Sequence, residues 1–276
     1  MRFSAQVAII QPDKFGAWRL LAILPRLKTR ATVLGLRSFH MPIAKEGFRE
    51  IALATVVLGL CAGGSVLVFW PLAIPFLVIW LWVLFFFRDP KRSHDYQPGD
   101  LCAPADGTVT EVTQLDSYEP LGGPAVRIGI FLSIFNVHVN RAPCSGRVRS
   151  LSYRAGEFID ARHPESGRRN ESNTLLIEPD PPMSGPVEVR QVAGVLARRI
   201  ICHARANEYL PIGSRFGLIK FGSRTELIIP RRTGTETKVK VGDKVRAGLT
   251  IVARQPLETG AASGVEQPQG EVCVQA

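Results

Sequence analysis

The chain has 276 residues, of which 46% are hydrophobic and 21% are charged, and its formal net charge is +10. This length fits one large domain or two small ones, and the composition excludes both a disulfide-stapled miniprotein and a wholly disordered chain. The five cysteines are widely spaced and form no CxxC or CxxH pair, which argues against a disulfide framework and a metal site and favours a reduced, cytoplasm-facing protein.

Positive charge is concentrated at the start of the chain. Residues 1–50 carry nine Lys or Arg and three Asp or Glu, a net of +6, whereas residues 51–87 carry no charge. A basic arm beside an uncharged stretch is typical of contact with anionic lipid, and without a nucleic-acid motif no nucleic-acid partner is expected. Residues 1–40 show no structural pattern. We expect them to be a spurious or disordered extension, with the biological start at Met41.

The uncharged stretch 51–87 is too long for a single membrane helix. Its 37 residues would form a helix of about 55 Å, against a hydrocarbon core of about 30 Å. The sequence therefore predicts two helices, about 51–69 and 72–87, folded as a membrane-anchoring hairpin within 41–90, with basic flanks that keep both ends in the cytoplasm. One tilted helix followed by an apolar surface segment is the alternative. Breaks are offered by Gly63, Gly64, Pro71 and Pro75.

After Pro90 the pattern changes to short alternating strands between dense turns, which predicts a mainly β body of compact sandwich or barrel type. The glycine turns in 103–109 and 241–248 resemble those of biotinyl and lipoyl domains and favour a barrel-sandwich-hybrid-like fold. Strands are predicted at 107–112, 126–131, 136–139, 148–153, 174–178, 187–192, 195–201, 217–221, 226–229, 237–241 and 249–253.

Two titratable residues of this body stand out. In a strand, Asn136, His138 and Asn140 share one face, which is either an exposed polar face or a cleft in which His138 transfers a proton. Asp106 lies in an otherwise uncharged run between Ala105 and Gly107. Taken alone, Asp106 is most simply a turn-forming residue.

The stretch Phe221-Gly222-Ser223-Arg224 joins two apolar strands. A β-hairpin or a strand kink with Gly-Ser at the bend is one interpretation. The other is chemical, because a Ser hydroxyl beside a glycine carbonyl is the arrangement that an N-to-O acyl shift requires, and Gly222 has no Cβ to block the attack.

Six segments together resemble the short type of phosphatidylserine decarboxylase proenzyme, over about residues 41–255. The resemblance implies self-cleavage between Gly222 and Ser223 and conversion of Ser223 into a pyruvoyl group, which forms a Schiff base with the substrate and takes the place of pyridoxal phosphate. The matching segments are Phe86–Pro90, Pro104–Gly107, Phe135–Pro143, Gln191–Gly194, Ala197–Ile200 and Phe221–Arg224.

The resemblance also implies partners and a location. The substrate is a phospholipid in the cell membrane, approached from its cytoplasmic face, and the product is phosphatidylethanolamine. The precursor yields a β chain with its catalytic body at 91–222 and an α chain at 223–276, which stay together as a heterodimer; a higher oligomer is left open.

Individual roles follow residue by residue. Asp106 matches the Asp that acts in self-cleavage in the family's longer form. That form carries two histidines three residues apart, whereas this chain has His138 and, three residues on, Arg141. We therefore expect His138 to transfer protons in self-cleavage, decarboxylation or both, and Arg141 to bind the substrate phosphate or carboxylate.

Three alternatives remain open from the sequence. The same chemistry could act on another serine lipid, such as an archaetidylserine. The chain could also be a membrane-tethered adaptor with a lipoyl-like barrel, although no lysine tripeptide of the lipoyl kind is present. A soluble pyruvoyl decarboxylase of a small amino acid is opposed by the predicted hairpin.

Overall fold

The structure, a computed structural model, describes residues 43–163, 165–183, 185–195, 199–220 and 222–257. The chain divides into two compact units, Met1–His40 and Met41–Ala276, and every described residue belongs to the second. The predicted extension 1–40 lies outside the described residues.

Two apolar helices begin the described chain. Helix α1 covers Phe48–Val68 and α2 covers Ala73–Phe86, and a short 3₁₀ turn, Trp70–Leu72, joins them. At about 1.5 Å per residue, α1 is about 32 Å long and α2 about 21 Å, so only α1 has the length of a bilayer core. Among the described residues, the helical stretch Lys45–Val68, with a mean hydropathy of 2.3, is the one long and apolar enough to cross a membrane.

The two helices form the predicted hairpin. The Trp80 indole N–H donates to Thr55 Oγ1 at 2.9 Å across the pair. At the open end the Ala44 N–H donates to the Phe87 carbonyl at 2.7 Å, so the chain enters and leaves at the same place. These contacts favour the hairpin over one helix followed by a separate apolar segment.

The hairpin turns at one of the predicted break points, and the helix continues unbroken through another. Gly63 and Gly64 lie inside α1 and do not interrupt it. The turn lies at Pro71, whose missing N–H costs nothing at the first positions of the 3₁₀ turn, and Pro75 is accommodated near the start of α2.

The rest of the described chain is mainly β, as predicted. The strands are β1 Asp100–Cys102, β2 Gly107–Tyr118, β3 Gly123–Leu132, β4 Val139–Arg141, β5 Gly146–Arg154, β6 Ser172–Pro179, β7 Val187–Val192, β8 Arg199–Cys202, β9 Tyr209–Leu210, β10 Arg215–Lys220, β11 Ser223–Pro230, β12 Glu236–Thr237, β13 Lys244–Val245 and β14 Ile251–Arg254. One short helix, α3, covers Ser166–Arg169. The strands are antiparallel and form one curled sheet of eight in the order β13-β2-β3-β11-β7-β6-β5-β9, and two sheets of three, β4-β10-β8 and β1-β14-β12.

One core joins the three sheets. Leu101 of β1 and Phe216 of β10 are buried in the same cluster as Ile128, Val189 and Leu227 of the large sheet. The small sheets therefore cover the inner face of the curled sheet, which is the sandwich-like body that the turn pattern predicts. Strand β11 is buried along its whole length, because strands flank it on both sides and its two faces are both covered.

Two predicted strands are shorter or displaced. The strand predicted at 136–139 begins only at Val139, because residues 133–136 form a turn in which the Ser133 N–H and hydroxyl both donate to Asn136 Oδ1. The strand predicted at 237–241 is reduced to Glu236–Thr237. The strand predicted at 195–201 is described only in part, at Val195 and from Arg199 onward.

Candidate active site

The Gly222–Ser223 peptide bond lies where the chain passes from one sheet to another. Strand β10 ends at Lys220 and pairs with β4 and β8, whereas β11 begins at Ser223 and pairs with β3 and β7. The two strands do not pair with each other. Of the two structural interpretations of this stretch, the strand kink is correct and the β-hairpin is wrong; Phe221 lies outside the described residues.

The carbonyl of Gly222 is closely held. Gly222 has a φ of +56°, the left-handed conformation that favours glycine. A Cβ added to Gly194 would lie 2.2 Å from the Gly222 carbonyl oxygen. Gly194 is thus the residue whose lack of a side chain leaves room for that oxygen. A Cβ on Gly222 itself would meet no atom within 4 Å outside its neighbours in the chain, so the left-handed φ is the reason that the fold gives for glycine at this position.

The Ser223 side chain is buried and has no hydrogen-bond partner. The residue is 0% exposed, and its Oγ is one of the few buried polar side-chain atoms among the described residues that make no hydrogen bond. An unpaired buried hydroxyl costs free energy, and such atoms are concentrated at reactive sites.

A chain of buried side chains runs beside Ser223. Asn140 donates to Thr225 Oγ1 at 3.1 Å and accepts from Gln191 Nε2 at 2.9 Å, and Asn173 donates to Gln191 Oε1 at 3.0 Å. Thr225 shares a strand face with Ser223, and Asn140 lies two residues after His138. This network therefore joins the strand that carries Ser223 to the segment that carries His138.

His138 is fully buried, so of its two interpretations the exposed polar face is wrong. Nδ1 lies 3.0 Å from the Asn136 carbonyl oxygen, which can only accept, so Nδ1 carries the proton and Nε2 has the free lone pair. Burial is the main cause that lowers the imidazole pKa to about 4, and the positive charge of Arg88 adds to it. The ring is therefore neutral at pH 7.

His138 and Ser223 lie on adjoining stretches of backbone. The Ile219 N–H donates to the His138 carbonyl at 3.3 Å, three residues before Gly222. His138 Nε2, like Ser223 Oγ, is buried without a hydrogen-bond partner among the described residues, so the two atoms are not hydrogen-bonded to each other.

The Asp106 carboxylate forms its hydrogen bonds with groups other than His138. Its two carboxylate oxygens accept from the two terminal nitrogens of Arg92 at 2.5 and 2.8 Å, and Oδ1 also accepts from the Ala247 N–H at 2.8 Å. The carboxylate does not hydrogen-bond to the imidazole, whose Nδ1 contacts the Asn136 carbonyl instead. It acts on His138 through space, where its charge opposes the lowering of the pKa.

Arg141 is engaged within the protein. It is 7% exposed, and its guanidinium donates to Asp89 Oδ1 at 2.7 Å and to the carbonyls of Pro90 and Gly213 at 3.1 Å. Burial lowers its pKa, against the effect of Asp89. These bonds tie the segment after α2 to the β body through both terminal nitrogens, whereas Nε has no hydrogen-bond partner among the described residues.

Arg224, the residue after Ser223, is 1% exposed and lies among carboxylates. It forms ion pairs with Glu111 of β2 and with Glu226, the latter at 2.9 Å, and donates to Thr110 Oγ1 at 3.2 Å. Its guanidinium packs where Gly129 has no side chain. The first residues of β11 are thus held by charge as well as by main-chain bonds.

Comparison with known proteins agrees with this geometry. The family model described as phosphatidylserine decarboxylase matches residues 80–253. A phosphatidylserine decarboxylase proenzyme of Rhodopirellula baltica is 43% identical over 215 residues, 78% of this chain and 88% of the relative. The proenzyme of Pelobacter propionicus is 41% identical over 224 residues, 79% of this chain and 99% of the relative. That of Geobacter metallireducens is 40% identical over 223 residues, 80% of this chain and all of the relative.

The chain belongs to the phosphatidylserine decarboxylase family. The resemblance seen in the sequence is confirmed, and with it the assignment to a family of decarboxylases. The comparisons favour neither the adaptor nor a different serine lipid.

The sequence did not predict the contacts that several residues make around this site. Gly194 lies inside a matched segment, but its contact with the scissile carbonyl depends on a distant part of the chain. Arg224 and Glu226 did leave a signal, because two charged residues at alternate positions begin a strand whose second half is apolar and typical of a core. The remaining contacts, of Arg92, Asn140 and Gln191, depend on the tertiary structure.

Proposed function

We propose that this chain decarboxylates phosphatidylserine to phosphatidylethanolamine at a membrane surface, using a pyruvoyl group made from its own Ser223. One observation carries the proposal. Two unpaired buried atoms, Ser223 Oγ and His138 Nε2, lie on adjoining stretches of backbone beside a glycine carbonyl that is held in place. A hydroxyl, a base and a positioned carbonyl are the parts that self-cleavage requires.

The first step is an acyl shift. Ser223 Oγ attacks the carbonyl carbon of Gly222, His138 Nε2 accepts the hydroxyl proton, and the same proton goes to the departing nitrogen of residue 223. An ester replaces the amide bond. A neutral His138 with its lone pair at Nε2 is in the form that this step needs.

The second step releases the two chains. Loss of the α-proton of residue 223 expels the Gly222 carboxylate from the β-carbon and leaves dehydroalanine. Its enamine tautomerises to an imine, and one water hydrolyses this to a ketone and ammonia, so that no oxidant or reductant is consumed. The products are a β chain that ends at Gly222 and an α chain whose first residue is a pyruvoyl group.

The surroundings of Ser223 fit such a group. The position is fully buried, its polar atom has no competing partner, and Gly194 leaves space at the adjoining carbonyl. The pyruvoyl ketone supplies an electron sink for the departure of CO₂ from an amino acid bound to it. The chain's own contribution is to exclude water, hold the substrate and hold or move a proton at His138 Nε2.

The proposal makes the α and β chains a heterodimer, and strand β11 supports this. From Ser223 onward it pairs with β3 on one side, and from Arg224 with β7 on the other. Both neighbours belong to the β chain. Main-chain bonds on two sides and the ion pairs of Arg224 would hold the α chain after cleavage.

Membrane attachment through the hairpin is part of the proposal. Contacts between the hairpin base and β10 support it: Glu46 pairs with Arg215, and Lys220 Nζ pairs with Glu50 and donates to the Glu46 carbonyl at 3.1 Å. Strand β10 leads directly to Gly222. Basic residues at both ends of the hairpin favour the cytoplasmic face of the cell membrane.

Asp106 and Arg141 act as positioning residues in this scheme. Asp106 together with Arg92 fixes the turn before β2 and biases the charge state of His138. Arg141 fixes Asp89 and the chain that leaves α2. We expect neither to touch the reacting atoms.

The test is turnover of phosphatidylserine labelled in its carboxyl carbon. Purified protein in mixed micelles should release labelled CO₂ and form phosphatidylethanolamine, and a carbonyl reagent such as phenylhydrazine should abolish the release. Ser223→Ala should be inactive from the start. Turnover that resists phenylhydrazine, or that persists in Ser223→Ala, would contradict the proposal.

A further inference from the structure

A basic cleft opens beside the chain that leaves α2. Its volume is about 400 Å³, and its walls come from four places: the segment after α2, the turn before β2, the neighbourhood of His138, and the turn between β13 and β14. One wall is therefore formed by residues that precede Ser223 and another by residues that follow it. The lining residues are Arg88, Pro90, Lys91, Arg92, Asp106, Val137, Arg246 and Leu249.

The cleft has an excess of positive charge. It is lined by four cations and one carboxylate, and that carboxylate, Asp106, is engaged on both oxygens by Arg92. Among the described residues no ion pair reaches the other three cations: Arg88 donates only to the carbonyls of Phe85 and Phe135, and the side chains of Lys91 and Arg246 are exposed. A net charge of about +3 remains for a ligand.

The cleft also lies in a suitable place for the headgroup of a lipid whose tails stay in a membrane. Arg88 follows the end of α2 by two residues, and its guanidinium lies 3.6 Å from the centre of the Phe85 ring. The cleft is also lined by Val137, the neighbour of His138, and by Asp106, whose charge acts on His138. A molecule in the cleft would therefore extend from the end of an apolar helix towards the buried imidazole.

We propose that this basic cleft binds the phosphodiester of a serine phospholipid headgroup, with Lys91 and Arg246 as its direct ligands. The inference rests on the proposed function and adds the residues that recognise the substrate. A serine headgroup has two negative charges, phosphodiester and carboxylate, against one ammonium, which matches the excess of cations. Because Lys91 comes from the β chain and Arg246 from the α chain, the two chains would bind the lipid together.

The same cations could instead meet the anionic surface of the bilayer. Both sources present a phosphodiester, so the experiment uses a headgroup without a membrane. Glycerophosphoserine is water-soluble and carries the complete headgroup, and its binding to purified protein in an uncharged detergent is measured by calorimetry, with inorganic phosphate as competitor. Free serine, which lacks the phosphodiester, is the ligand control.

The test variant is Lys91→Gln with Arg246→Gln, and Arg205→Gln with Lys240→Gln is the matched control. All four side chains are exposed, and the control pair lies outside the cleft. We expect the test variant to bind glycerophosphoserine at least about tenfold more weakly, the loss expected for a charge-assisted contact. The KM for a short-chain phosphatidylserine should rise by a similar factor, and the control pair should match the wild type.

Self-cleavage needs no lipid and serves as the folding check for both variants. Equal binding of glycerophosphoserine by the test variant and the wild type would contradict headgroup binding in the cleft. It would also be contradicted if the test variant lost only its binding to vesicles containing anionic lipid. If the wild type binds the headgroup through these residues but releases no CO₂, the cleft stands and the proposed function fails.

Discussion

The imidazole of His138 lies 4.3 Å from the ring of Phe86, measured between ring centroids, with the two planes inclined by 35°. Phe86 is the last residue of α2 and is 1% exposed. The last residue of the hairpin thus also packs against His138, the proposed base. The apolar hairpin and the proposed reaction site therefore share a packing contact.

The pH dependence of self-cleavage tests the state of His138. With a pKa of about 4, the imidazole keeps its lone pair until the pH falls to that value, whereas an ordinary histidine would lose it near 6.5. We expect the cleavage rate of freshly translated precursor to be level from pH 8 to 5 and to halve near pH 4. A half-point near 6.5, with fluorescence showing an intact fold, would exclude a buried neutral base.

Phe86→Ala should shift that half-point upward. Removing the ring lets water reach His138, and burial is the main cause of its low pKa. The change should also lower the free energy of unfolding by about 3–5 kcal/mol, as for other buried Phe→Ala substitutions. Phe86→Leu keeps the site apolar and should leave the half-point close to that of the wild type.

Gly194→Ala should slow self-cleavage strongly without removing a reacting group. Its methyl would fall 2.2 Å from the Gly222 carbonyl oxygen, so the scissile peptide must move. Gly123→Ala is the matched control, because a Cβ there meets no atom within 4 Å and its φ is not in the left-handed region. The fraction of cleaved chain after a fixed time, read from a denaturing gel, distinguishes the two. Equal rates would show that the carbonyl is not held at Gly194.

Arg224→Ala should weaken the hold on the α chain. The substitution leaves Glu226, which is 0% exposed, without the shorter of its two ion pairs, and breaking a buried pair from one side costs about 3–5 kcal/mol. We expect the cleaved chains to separate at lower urea concentration, with Arg224→Lys intermediate. Arg231→Ala loses an ion pair to the exposed Asp116, and it should change the urea concentration at which half of the chains have separated only little. Coincident midpoints for all three variants would contradict this role.

Shortening the hairpin should separate lipid delivery from self-cleavage. Deletion of all of 51–87 would remove Phe86 and Phe87, which are both 1% exposed, and would uncover His138. Replacing 56–79 with a short Gly-Ser linker avoids this, because Thr55 and Trp80 already lie within hydrogen-bonding distance. The shortened protein should still cleave itself, and it should lose turnover of long-chain lipid far more than turnover of a soluble short-chain analogue. Equal losses on both substrates would mean that the hairpin supports the fold instead.

The sequence predicted the parts of this protein that depend on local pattern. An uncharged stretch too long for one membrane helix predicts a hairpin, and short alternating strands between turns predict a β body. It did not predict that residues 133–136 turn back through the Asn136 side chain, because a polar residue at that position fits a strand equally well. Nor did it predict the partners of Asp106 and Arg141, since Arg92 and Asp89 reach them only in the folded chain.

The mass of the purified protein under denaturing conditions tests the central claim most directly. We expect two fragments: one that ends at Gly222, and one that spans residues 223–276 with a pyruvoyl group in place of Ser223. The second should resist N-terminal sequencing, because it has no free amine. Ser223→Ala should give a single chain. A single intact chain from wild-type protein that decarboxylates phosphatidylserine would contradict the account.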